Sequence, residues 1–112
     1  MYRLSAIIEE IFNKYAKLAE KRGVSFDLDF PDMTKRIERP SLVRRPLEVL
    51  LPGAIERAVK KVSLKVFPDY IQIRDDGVAL LPSVLDEIRG GFENVLVKSR
   101  VGFGTEIRIK MA

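Results

Sequence analysis

The chain has 112 residues, enough for one domain with its own core and too few for two of ordinary size. Its 46% apolar and 32% charged content is that of a soluble globular protein, with no run near the roughly 20 apolar residues that a membrane span requires. It has no cysteine and no histidine, which excludes disulfide frameworks, thiol or imidazole-assisted nucleophiles, the usual zinc ligands and a phospho-accepting histidine within the chain.

From Leu4 to Arg22 apolar residues recur at helical spacing (Leu4, Ile7, Ile8, Ile11, Phe12, Tyr15, Leu18, Ala19). Ser5 is placed to cap this helix, and Gly23 to stop it. The pattern begins without a continuous apolar stretch of secretory type, so a cytoplasmic address is expected. Val24, Phe26, Leu28 and Phe30 then alternate with polar residues as a strand that Pro31 and Asp32 end. Pro40 suits a first helical position, and helical spacing continues through Leu47, Leu50, Leu51, Ala54, Ile55 and Ala58. Pro46 and Pro52 lie inside that pattern, each at a cost of about 3 kcal/mol, so a bent or interrupted helix is expected.

Val62 to Val66 and Tyr70 to Arg74 alternate about a Pro68-Asp69 turn, the pattern of a β-hairpin. A short helix around Ser83 to Arg89 should end at Gly90 and Gly91. Two strands close the chain, one through Val95 and Val97, the other through Phe103, Ile107 and Ile109, with Glu106, Arg108 and Lys110 facing the opposite way. Strands with one apolar and one polar face imply a sheet covered on one side only. The expected fold is α/β of the α+β kind, a single domain over residues 1–112 in which helices cover one face of a mixed, largely antiparallel sheet.

The second hairpin strand runs Ile71-Gln72-Ile73-Arg74-Asp75-Asp76-Gly77. A strand ending in Asp-x-Gly resembles the first glycine box of the GHKL superfamily, which holds sensor histidine kinases, gyrase-type ATPases, heat-shock chaperones and anti-sigma kinases. Three further stretches follow the order of a histidine kinase ATP-binding domain: the opening helix and strand from Leu4 to Asp32, the helix from Pro40 to Lys60 in the place of the asparagine box, and Gly102-Phe103-Gly104-Thr105 resembling the last glycine box. The resemblance implies a histidine kinase ATPase-like fold. It implies that Asp75 would receive the adenine amino group, with Gly77, Gly104 and Thr105 as the other nucleotide-binding candidates.

Other parts of the family pattern are missing. The asparagine box would place a magnesium-binding Asn at Gly53 and an earlier Asn at Val49, and neither residue present offers a side-chain oxygen. Ala79 stands where the first box ordinarily ends in glycine. Between Asp75 and Gly104 there is room for one short helix, a turn and a strand, but not for a lid and a second glycine box. Asp75 and Asp76 are also ordinary turn residues, expected to be solvated and to point apart rather than form a catalytic dyad.

The leading reading is a degenerate histidine-kinase-like ATPase domain in signalling that acts by binding a protein partner. It has no catalytic residue, no metal and no required cofactor, and kinase or ATPase activity is not expected. A second reading is a reduced ATP- or ADP-binding protein of the GHKL type. A third is a nucleic-acid-binding α/β module resting on Arg39, Arg44 and Arg45; the mild net charge of +4 permits nucleic acid without implying it, and it is not among the expected partners.

Overall fold

The computed structural model describes residues 2–31 and 34–111, so the expected role of Asp32 in ending the first strand lies outside the described residues. In chain order the elements are β1 (Tyr2–Arg3), α1 (Leu4–Arg22), β2 (Ser25–Asp29), β3 (Arg36–Ile37), α2 (Ser41–Arg57), β4 (Lys61–Val66), β5 (Tyr70–Asp75), α3 (Pro82–Gly91), β6 (Val95–Arg100) and β7 (Gly104–Lys110). Strands β2-β4-β5-β7-β6 form one mixed sheet, in which β2 and β4 are parallel and every other pair is antiparallel. The alternation seen in the sequence decides what each face carries. Leu64, Ile71, Ile73, Ile107 and Ile109 are fully buried beneath the helices, together with Leu47, Leu51 and Ile55 of α2 and Ile8 and Ile11 of α1. The expected two-layer α+β sandwich is the fold observed.

Helix α1 stops at Gly23, which adopts the left-handed conformation (φ 67°) that costs glycine nothing, and the following amide of Val24 closes back on the Ala19 carbonyl. Its start differs from the expectation. The helix begins at Leu4, so Ser5 lies inside it and caps nothing. The Leu4 amide instead donates to the Lys35 carbonyl, because the two-residue antiparallel ribbon of β1 and β3 brings that carbonyl to the helix end. Nothing in the sequence pattern marks a ribbon this short.

Helix α2 runs from Ser41 to Arg57 through both prolines without the interruption that was one of the two expected outcomes, with Pro40 in the capping position. A proline has no N–H, so Pro46 frees the carbonyl of Leu42 and Pro52 frees that of Glu48. Both carbonyls find a donor on another element. Asn94 Nδ2 donates to Leu42 O at 2.8 Å, and the Tyr15 hydroxyl donates to Glu48 O at 3.2 Å. Two helix defects become two fastenings, one to the turn before β6 and one to α1.

In the C-terminal third, α3 ends at Gly90 and Gly91 as expected, with extended Phe92 as the cap and neither glycine at positive φ. Phe103 lies in the turn before β7 rather than in the strand, because Gly102 takes a left-handed conformation (φ 81°) and the Phe103 amide closes back on the Arg100 carbonyl.

If Tyr15 compensates Pro52, Tyr15→Phe should cost about 1 kcal/mol in urea unfolding of the native sequence and almost nothing in a Pro52→Ala background, where the backbone amide returns. An equal cost in both backgrounds would show that the two residues are not coupled.

Candidate functional site

The C-terminal ends of α2 and β5 meet the start of β7 at one end of the sheet, and this junction gathers the four nucleotide-binding candidates. Asp75 is the last residue of β5 and points with Ile71 and Ile73 toward the helices; only 2% of it is exposed, so it is not the solvated turn residue expected. Asp76 points the other way, as expected, and binds the α2–β4 connection through the amides of Val59 (2.8 Å) and Lys60 (3.0 Å). Its slight burial works against ionisation, but the amides of Lys60, Lys61 and Val59 outweigh it and hold the carboxyl below the usual aspartate range.

Thr105 lies opposite Asp75 in the β5–β7 register. It is fully buried, and its hydroxyl is engaged with Ser99 Oγ at 2.8 Å; Ser99 in turn accepts the Leu80 amide at 2.7 Å. Gly77 and Gly104 are required by close backbone approach. A Cβ at Gly77 would strike the Arg57 carbonyl oxygen, and one at Gly104 would strike the Asp75 carbonyl oxygen. Asp75, Gly77, Gly104 and Thr105 therefore form one packed junction.

The group that organises this junction, Arg57, was not singled out from the sequence. It is the last residue of α2, and its guanidinium donates from Nη2 to Asp75 Oδ2 at 3.1 Å, while the Gly77 amide donates to Oδ1 at 2.9 Å. Both carboxylate oxygens thus have partners inside the protein. Nη1 lies 3.1 Å from where a Cβ on Gly53 would stand, one helical turn back. The same cation therefore borders the position of the missing metal-binding Asn, and Nε is buried with no hydrogen-bond partner among the described residues. Val49, the position of the earlier Asn, is largely exposed. A glycine, an exposed valine and a guanidinium offer no side-chain oxygen and so do not make a magnesium site, which demands oxygen ligands. Among the described residues no group of three or more His, Cys, Asp or Glu side chains is placed to hold a metal ion.

Burial raises the Asp75 carboxyl above the usual aspartate range, although the Gly77 amide and the Arg57 charge both pull it down. Arg39 and Arg45 of the basic cluster noted in the sequence border one cleft beside Asn94. Arg44 pairs with Glu10 and Glu48, and Arg45 lies over the Phe92 ring.

No protein-family model matches the sequence, and no curated protein matches it significantly. Its fold does match solved structures. The cytoplasmic segment of the histidine kinase QseC superimposes with a TM-score of 0.73 at 16% identity, covering 98% of this chain and 71% of that one. The nucleotide-free catalytic domain of the histidine kinase ThkA gives 0.71 at 13% identity, covering 98% and 92%. The Acinetobacter baumannii histidine kinase AdeS gives 0.70 at 14% identity, covering 98% and 66%. The chain has the fold of a histidine kinase catalytic domain, as the four motifs implied, and no helix among the described residues is long and apolar enough to cross a membrane.

Replacing Arg57 by Ala strands a buried carboxylate, an effect reduced by the partial exposure of the guanidinium, and should cost about 2 kcal/mol at neutral pH. Without that cation the folded-state pKa of Asp75 rises further, so the folded variant takes up a proton at higher pH than the unfolded chain. The deficit relative to the native sequence should therefore shrink as pH falls from neutrality toward the ordinary aspartate range, as read from melting temperatures across that interval.

Proposed function

We propose that this chain is a degenerate histidine-kinase-like ATPase domain that keeps the fold and works by binding another protein in signalling. The observation that carries the reading is the single cation at two positions: Arg57 donates to Asp75, where the family pattern calls for the adenine amino group, and lies against Gly53, where it calls for a metal ligand. Displacing it would require breaking a largely buried ion pair and leaving Asp75 without a charge partner. The hydroxyl of Thr105 is likewise committed, to Ser99.

A phosphate cradle has no counterpart. Between β5 and β6 the chain offers only the loop after Asp75, the ten residues of α3 and the three-residue turn of residues 92–94. The glycines that might have supplied backbone amides to phosphates are spent within the last turn of that helix. With no histidine in the chain, it also carries no phospho-accepting imidazole of its own. A protein partner is a use that the retained fold still supports. ThkA, one of the structural neighbours, is known in complex with the response regulator protein TrrA, which makes a signalling protein the first partner class to test.

Isothermal titration of the chain with Mg-ATP should give only heats of dilution, and ATP or ADP should leave the melting temperature unchanged. Micromolar binding would overturn the reading and favour the reduced nucleotide-binding alternative.

A further inference from the structure

The helices cover one face of the five-stranded sheet, and the register defines what the other face presents. Lys61, Ser63 and Lys65 of β4 stand beside Tyr70, Gln72 and Arg74 of β5. Glu106, Arg108 and Lys110 of β7 follow, then Leu96, Lys98 and Arg100 of β6. The strand carboxylates of this face are Asp27 and Asp29 on the edge strand β2 and Glu106 in the middle, and Asp76 and Asp69 line clefts at its margins. Three of these five are already engaged: Asp27 pairs with Lys61, Glu106 accepts from both Gln72 and Arg108, and Asp76 accepts from the amides of Val59 and Lys60. Lys65, Lys98, Arg100 and Lys110 are exposed and make no ion pair among the described residues. Cations contributed by separate strands thus stand together on the sheet face that the helices leave uncovered.

Aromatic rings interrupt that surface in a particular way. The Arg108 guanidinium lies over the Tyr70 ring at 4.9 Å, and Tyr70 also stacks on Phe67 at 4.7 Å. The Arg74 guanidinium lies over Phe103 at 4.4 Å. Each pair borders a cleft of about 290 Å³, one reaching Lys61 and Lys65, the other Leu96 and Lys110. Tyr70 and Arg74 are four residues apart on one strand, so the two stacked pairs stand ~13 Å apart.

We infer that this open face binds single-stranded nucleic acid. Exposed cations spaced along neighbouring strands suit a phosphate backbone, and arginines placed over rings offer cation–π and stacking contacts to unpaired bases. An acidic protein segment would need the charges but not the stacking contacts. A duplex would keep its bases from making them.

The test uses the full chain and a labelled oligouridine of about 20 nucleotides, followed by fluorescence anisotropy. Affinity should fall more than about tenfold between roughly 50 and 200 mM salt. Phe103→Ala should weaken binding at least about fivefold with the salt dependence kept, because it removes a stacking surface and no charge. The pair Lys65→Glu and Lys98→Glu should weaken binding and flatten the salt dependence. All three positions are exposed, and unchanged unfolding midpoints would establish that the variants fold. Absence of binding would overturn the inference, as would binding insensitive to either set of variants. Competition by polyglutamate as effective as by unlabelled oligouridine would overturn it in favour of an acidic protein partner.

Discussion

A single ion pair, from Arg57 at the end of α2 to Asp75 at the end of β5, joins the helical layer to the sheet at the end where the chain's functional candidates meet. Its energetics explain why it persists. A carboxylate with 2% exposure is costly to leave charged and unaccompanied, and the pull of burial on its pKa is opposed by the Gly77 amide and the guanidinium. The backbone around the pair is built to the same closeness. Gly77 passes the Arg57 carbonyl and Gly104 passes the Asp75 carbonyl at distances that exclude any side chain. In a nucleotide-binding version of this fold the same carboxylate would have to face a ligand; here it faces the protein.

The rest of α2 is held in the same spirit, by partners brought from other elements. Pro46 and Pro52 each remove one helical hydrogen bond, and Asn94 and Tyr15 each replace it from outside. Asn94 also donates to Lys110 O, so one amide group joins α2 to β7. The helix is thereby pinned near its start, along its middle and at its end, and its apolar side (Leu47, Leu51, Ile55) packs against the sheet without a break. A helix so fixed keeps Arg57 aimed at Asp75.

Periodicity made the layers legible. The i, i+3, i+4 spacing of α1 and the alternation of β4 and β5 report burial directly, and four short motifs in order pointed to the fold. Other features could not be read this way because they depend on contacts between residues distant in sequence. Ser5 resembles a cap, yet the β1–β3 ribbon supplies the first helical amide with its acceptor. The prolines of α2 predict a break unless Tyr15 and Asn94 are known to approach. Asp75 and Thr105 were visible as candidates; Arg57 was not, since its partner lies 18 residues away and only the meeting of α2 with β5 brings them together. The positive face of the sheet was hidden for the same reason, its charges being contributed two or three at a time by separate strands.

On the function proposed, this molecule is a fold whose ligand site is closed from within and whose exposed surfaces carry its interactions. A crystal structure grown with millimolar ADP and magnesium tests that claim most directly. Arg57 should remain on Asp75 with no nucleotide beside it; ordered adenine density against Asp75, with the guanidinium swung away from Gly53, would contradict it.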